Sequence, residues 1–193
     1  DSSFTTGRRG VAATVVVEKM VGSLAEAGGS LEECKKLGDK VNKNSGSMGV
    51  ALTSCSVPAA GKPNFEIGND EMEFGVGIHG EPGRRRDKIK SAQEITSELL
   101  EAINEDLKPE KNEEILLFVN GMGGTPLTEL YLIFDNAKNV LDKKNIKISR
   151  SLVGNYCTSL EMQGASITLT KLDEELVKHW DSSVLTAAMR WGM

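Results

Sequence analysis

The sequence has little of what several large function classes require. Of its 193 residues only three are cysteine and two are histidine. Cys34, Cys55 and Cys157 are odd in number, far apart and without a C-x-x-C pair. That argues against a disulfide framework and fits a reducing cytosol. With His79 and His179 alone, no His/Cys cluster has zinc-ligand spacing. No apolar run approaches the roughly 18–20 residues of a membrane-spanning helix, and the polar opening Asp1–Gly10 lacks the apolar stretch of a signal peptide. There is no basic surplus: 23 Lys and Arg stand against 28 Asp and Glu, a net charge of −5, which argues against nucleic-acid binding. A Gly-x-Ser-x-Gly elbow and a Ser/His/Asp order are missing, so a hydrolase triad is not expected.

What remains is an ordinary globular composition, 39% apolar and 26% charged. The opening DSSFTTGRRG, over 1–10, is expected to be a tail or linker, and the chain the downstream part of something longer. Residues 11–193 are expected to form a domain. Val11–Ala27 suits a helix that stops at Gly28-Gly29. Ser30-Leu31-Glu32-Glu33 and Ser91-Ala92-Gln93-Glu94 are capping boxes. The first starts a helix through about Val41, ending before Asn44-Ser45-Gly46; the second starts one carrying Ile95, Leu99, Ile103 and Leu107 on one side. Met48–Cys55 alternates as a half-buried strand does, and Val57–Asn64, with two prolines, is a loop. Glu71–His79 also alternates, Phe74, Val76 and Ile78 against Glu73, Gly75, Gly77 and His79. Ile115–Val119 is a continuous apolar run, the mark of a buried strand. Thr125 is a candidate cap and Pro126 a candidate first residue for the next helix. Ile146–Val153 and Ala165–Leu172 read as two further strands, and Asp173–Trp180 as a short helix. The pattern implies an α/β fold, a two-layer mixed β-sheet with helices on one side.

Four places carry chemistry. His79 ends a strand whose same face is otherwise two glycines and a carboxylate. Two alternate glycines clear that face for a close ligand, and Glu73 and Glu81 are candidates to orient the ring. Gly80-Glu81-Pro82-Gly83 closes the segment as a tight turn. Val119–Pro126 places glycines between a strand and a helix start, either a structural turn or an anion site, but with no phosphate-loop lysine. Arg84-Arg85-Arg86, with Lys88 and Lys90, form a small basic patch, a solvated loop or a docking surface for an acidic partner. Lys62, in the proline-fixed loop Pro58–Pro63, is a candidate phosphate or substrate contact. His179-Trp180 suits amphipathic packing.

Several stretches together resemble the dihydroxyacetone kinase K subunit: Gly7–Ala12, Thr53-Ser54-Cys55-Ser56-Val57-Pro58-Ala59-Ala60-Gly61-Lys62-Pro63, Glu71–Gly83 and Asn155-Tyr156-Cys157-Thr158-Ser159-Leu160-Glu161-Met162. The resemblance runs almost end to end and covers only the C-terminal part of that subunit, since the upstream Gly-Gly-Gly-Ser-Gly-His-Glu-Pro motif is missing. It implies the second domain of that fold, and a dihydroxyacetone-binding kinase subunit in which His79, in Gly-Ile-His-Gly-Glu-Pro-Gly, bonds the ketone carbonyl as a hemiaminal. The rest of the ketone pocket is then expected on the upstream domain. No cofactor is expected in this chain. ADP or ATP with magnesium is expected on a helical L subunit, recharged by an M subunit of the phosphotransferase system, and the ending Trp191-Gly192-Met193 favours such separate subunits. A cytoplasmic homodimer, inactive as this piece alone, is the accompanying expectation. The alternative is a non-catalytic dihydroxyacetone-binding paralogue acting as a transcriptional coactivator.

Overall fold

The computed structural model describes residues 10–79 and 83–192. Nearly all of the expected tail at 1–10, and most of the expected turn at 80–83, lie outside the described residues. Among the described residues five helices and eight strands follow one another: α1 (Ala13–Glu26), α2 (Leu31–Asn44), β1 (Ser45–Ala51), β2 (Glu71–Phe74), β3 (Arg85–Lys88), α3 (Ala92–Leu107), β4 (Glu114–Gly121), α4 (Leu127–Lys143), β5 (Lys147–Gly154), β6 (Gly164–Lys171), α5 (Glu174–Asp181), β7 (Val184–Leu185) and β8 (Arg190–Trp191). Six strands form one sheet in the order β3-β2-β1-β6-β4-β5; β7 and β8 make a separate hairpin that the sequence pattern did not announce. Within the large sheet only β4 and β5 run parallel, and the other pairs are antiparallel.

Both capping boxes form. Ser30 Oγ accepts from Glu33 N and Ser91 Oγ from Glu94 N, while each glutamate reaches back to the serine amide. Reciprocal satisfaction of two orphan donors fixes where each helix begins. The mixed sheet with helices packed on it is as expected, but the helices cover both faces, making three layers rather than two. The reason lies in β4. Its Ile115, Leu117 and Val119 pack in one buried cluster with Leu99, Ile103, Leu130 and Leu141 of α3 and α4. Its Leu116 and Phe118 pack in a second with Val16 and Met20 of α1, Leu37 and Val41 of α2, and Leu176 and Trp180 of α5. A strand apolar on both sides needs a layer on each.

Three local expectations are corrected. The first strand is Ser45–Ala51, not Met48–Cys55. Helix α2 passes into it without a loop, because Ser45 and Ser47 pair their hydroxyls with Thr170 (2.8 Å) and Thr168 (2.5 Å) of β6. The second strand ends at Phe74, not His79, because Gly75 turns the chain at φ +85°, a left-handed conformation that a glycine adopts without penalty. Arg85 and Arg86 are not in a solvated loop but on the edge strand β3, opposite Phe74 and Glu73.

Candidate functional site

Antiparallel pairing of β6 with both β1 and β4 brings one end of each strand together: Ala51 faces Gly164, and Gly121 faces Ala165. The loops leaving this end are stitched to one another by backbone. Leu52 N donates to Gln163 O (2.8 Å), Met122 N to Gly164 O (3.1 Å), Gly124 N to Met162 O (2.8 Å) and Ser159 N to Met122 O (3.0 Å). Beneath them Ala51, Cys55, Val76, Met122 and Met162 form a small third core against Phe65. The approach is so close that a Cβ on Gly123, which sits at φ +117°, would lie 2.0 Å from Leu160 O, and one on Gly124 would lie 2.4 Å from Glu161 O. Glycine is required there by backbone contact. The amides of Met122 and Gly124 are spent on these bonds, so Gly121–Thr125 is built as a structural turn and not as an anion cradle. Thr125 does not cap α4 as expected. Its hydroxyl donates to Gly164 O (2.6 Å) and accepts from Gly164 N (2.8 Å), and Pro126 stands at the cap position without a side-chain bond.

Side chains the sequence did not single out complete this scaffold. Buried Asn120 donates to Cys157 O (2.8 Å) and accepts from the amides of Tyr156 (3.0 Å) and Cys157 (2.9 Å). Glu161 accepts from Ser56 N at 2.6 Å, and Cys55 Sγ meets Ser159 Oγ at 2.9 Å. For Glu161, Cys55 and Ser159 the available signal was that they lie in stretches resembling the family; Asn120, inside β4, had no such signal. Burial pushes the Cys157 thiol up, with Glu18 adding to the effect, which leaves it a poor nucleophile.

His79 lies on this end of the molecule, exposed, in the turn that follows β2. Because β2 stops at Phe74, the alternation that placed His79 beside Gly75 and Gly77 does not apply. Gly75 is the turn itself, its amide donating to Gly49 O (2.7 Å), and the chain then passes so near β1 that a Cβ on Gly49 would sit 3.0 Å from Val76 O. The excursion bearing His79 is clamped where it returns. Arg84 N donates to Phe74 O (2.6 Å). Glu73, buried, accepts from Gly83 N (3.0 Å) and from Arg86 Nε (2.9 Å). Glu73 therefore holds the base of the turn and not the imidazole, contrary to expectation, and Glu81 lies outside the described residues. Asn64 Nδ2 reaches His79 O at 3.5 Å, so the Pro58–Pro63 loop flanks the histidine. That loop is itself tightly closed, with Ser56 bridged to Pro63 and Asn64 N donating to Cys55 O (2.9 Å). It presents Lys62 to solvent with no ion-pair partner among the described residues.

The basic patch is largely neutralised. Arg85 pairs with Asp87 and Glu98, Arg86 with Glu73, Lys88 with Asp70, and Lys90 with Glu98 (2.6 Å). Arg85 beside Asp87 holds that carboxyl below its ordinary range. A strip whose charges cancel on its own neighbours makes a weak docking surface. No group of three or more His, Cys, Asp and Glu among the described residues is placed to hold a metal ion. None of the described helices is long and apolar enough to cross a membrane. What the arrangement offers chemically is one solvent-facing imidazole on a turn fixed at both ends, able to present a nitrogen lone pair to a small electrophile.

Comparison with known proteins agrees in kind. The Dak1 domain matches residues 1–188. The chain is 49% identical over 175 residues to the dihydroxyacetone-binding subunit DhaK of a PTS-dependent dihydroxyacetone kinase from Listeria innocua, covering 91% of this chain and 53% of that protein. It is 41% identical to the dihydroxyacetone-binding subunit DhaK of the PEP-dependent kinase from Escherichia coli, covering 100% of this chain and 61% of that protein. Among solved structures, a dihydroxyacetone kinase operon co-activator superposes with a TM-score of 0.86 at 32% identity, over 94% of this chain and 56% of that one. The chain spans about half the length of the curated relatives it matches.

Proposed function

The chain belongs to the Dak1 domain family, and from that premise we propose that it is the dihydroxyacetone-binding part of a cytoplasmic dihydroxyacetone kinase subunit, with His79 as the group that captures the ketone. The observation that carries the reading is the position of His79, the imidazole on the clamped, exposed turn where the loops of three strands meet. The lone pair of one ring nitrogen forms a bond to the carbonyl carbon. The C=O π pair moves to oxygen, which takes a proton, and the other ring nitrogen gives one up. The product is a hemiaminal, with no leaving group and no co-reactant. Covalent capture suits a substrate of six heavy atoms, too small to be held by many contacts, and it rejects glycerol, which has the hydroxyls but no carbonyl. Once held, the terminal hydroxyl is positioned for in-line phosphoryl transfer, a problem of placement and electrostatics.

We place the phosphoryl donor, with its nucleotide and magnesium, on a partner L subunit recharged by an M subunit, and the remaining ketone-pocket groups on an upstream domain. This chain alone then turns over nothing with ATP. The test uses dihydroxyacetone labelled at its carbonyl carbon. Added to the protein with its upstream domain, the label should move from the ketone to the tetrahedral region of the carbon spectrum, and His79→Ala should abolish that signal. A protein-bound tetrahedral signal, distinct from that of the free ketone hydrate, that survives His79→Ala overturns the assignment. The structural similarity to an operon co-activator favours one second reading, a ligand-binding regulator. Reconstitution with L and M subunits separates the two, since only the kinase subunit yields triose phosphate.

A further inference from the structure

A second cluster of polar side chains lies away from His79, between α1 and α5. Their ends border a groove of about 780 Å³, lined among others by Ser23, Glu26, Glu174, Lys178, His179 and Ser182. His179 is only 6% exposed. Its protonation pattern is set by a chain of hydrogen bonds that can run in one direction only. Lys178 O is a backbone carbonyl and can only accept, so Ser182 Oγ donates to it (2.9 Å). Ser182 Oγ must then accept from Ser23 Oγ (2.8 Å), and Ser23 Oγ is left to accept from His179 Nδ1 (3.1 Å). The neutral ring therefore carries its proton on Nδ1. The Nε2 lone pair has no partner among the described residues. His179 is more than nine-tenths buried yet lines the groove, and its Nε2 is not among the side-chain atoms closed off from solvent, so the small exposed part of the ring offers the groove an unused acceptor.

The rest of the groove asks for the same kind of ligand. Glu175 is bound to Lys40 (2.6 Å), but Glu26 and Glu174 have no ion pair among the described residues. Against them, among the described residues that line the groove, stands one cation without an ion pair, Lys178. The carbonyl end of α1, at Glu26 and Ala27, adds partial negative charge. Acceptors therefore outnumber donors, and Leu24 and Ala27 supply an apolar wall.

We propose that the α1–α5 groove is a second binding site, for an alkylammonium group that donates to His179 Nε2 and pairs with Glu26 and Glu174. The group is either that of a small amine or that of a lysine side chain on a partner protein. The site is independent of His79 and does not rest on the ketone-capture reading.

The chain has two histidines, so nitrogen NMR of the 193-residue protein resolves both rings, with His79→Ala giving the assignment. At a pH where imidazole is neutral, His179 should show the Nδ1–H tautomer. Titration with 1,5-diaminopentane and, separately, with a hexalysine peptide should shift the His179 Nε2 resonance saturably, and 1-hexanol should not. Saturation by the diamine assigns a small amine; saturation by the peptide alone assigns a partner's lysine. Glu174→Gln, an exposed change that keeps the fold, should weaken binding about tenfold, the effect of losing one charge-assisted hydrogen bond. An Nε2–H tautomer, no saturable shift with either probe, an equal shift with hexanol, or undiminished binding in Glu174→Gln overturns the proposal.

Discussion

Replacing Asn120 tests the claim that one side chain fixes the loop end of the sheet. Asn120 is fully buried at the end of β4, and its amide makes three bonds to the segment after β5, one donated to Cys157 O and two accepted from Tyr156 N and Cys157 N. In Asn120→Ala three backbone groups lose their partner at once. A hydrogen bond contributes about 1 kcal/mol net, and a buried group left unpaired costs about 1–3 kcal/mol. Partial re-solvation of the three groups brings the expected loss to about 3–5 kcal/mol, a large part of the roughly 5–15 kcal/mol that stabilises a typical domain. With a urea slope of about 2 kcal/mol per M, the unfolding midpoint should fall by about 2 M. Asn120→Leu, with the same branched shape but without polar atoms, separates hydrogen bonding from cavity formation. It should be as unstable as Asn120→Ala. Near-native stability of Asn120→Leu would show that volume, not the three bonds, matters, and a loss under about 1 kcal/mol in both variants would refute the reasoning.

Other contacts in the molecule carry their own expected outcomes. Gly123→Ala combines φ +117° with a Cβ 2.0 Å from Leu160 O, and should lower the melting temperature by at least about 5 °C in a calorimetric scan. Glu73→Gln removes the charge that holds Arg86 and weakens the grip on Gly83; the ketone should bind about tenfold more weakly, as expected for a charge-assisted bond, and an unchanged dissociation constant would dissociate the clamp from the site. Hydrogen bonding from Arg150, Lys88 and Lys147 holds Asp181, Asp70 and Glu114 below their ordinary values of 3.8, 3.8 and 4.5. Folded values lie below unfolded ones, so this stabilisation is complete above those ordinary values and is lost as pH falls through the folded ones; Asp181→Asn should flatten the acid limb of the stability curve. Burial pushes Lys19 down from 10.5, against the pull of Asp181, so stability gains from this group as pH rises from its folded value toward 10.5, and Lys19→Met should remove that alkaline rise.

Elements whose ends are written in local chemistry were legible in the sequence. Ser30/Glu33 and Ser91/Glu94 announce α2 and α3 because a capping box is a short-range contract between side chain and backbone. The run at 115–119 announces β4 because only a doubly covered strand is apolar at every position. The layer count was already implicit in that run: a strand with no polar face cannot belong to a two-layer sheet, yet the alternating, single-faced stretches at 48–55 and 71–79 suggested helices on one side. The edge strand β3 was hidden for the opposite reason. Arg85, Arg86, Asp87 and Lys88 carry no apolar residue to reveal a face, and their pairing depends on Glu71, Glu73 and Glu98, which are distant in sequence. Charged edges of this kind also guard against edge-to-edge association.

The site shows where period-two reasoning stops. His79 was found as a residue but placed on the wrong surface, since alternation presumes an unbroken strand and Gly75 breaks it. The correction changes the role of the glycines. They do not empty a strand face for the ligand; Gly75 reverses the chain, and Gly49 lets Val76 cross over β1 at contact distance. A strand would have set His79 by its own ladder. A turn needs external ties, and they are supplied from three separate stretches: Gly49 in β1 to Gly75, Glu73 in β2 to Gly83, and Asn64 in the proline loop to His79 itself. If covalent capture of a small ketone depends on holding one nitrogen within bonding reach, these ties and not the strand provide the positioning. Their removal should weaken capture in proportion to the strength of each tie, Glu73, whose charged carboxylate holds Gly83 N at 3.0 Å, ahead of Asn64, whose 3.5 Å reach to His79 O is at the limit of a hydrogen bond.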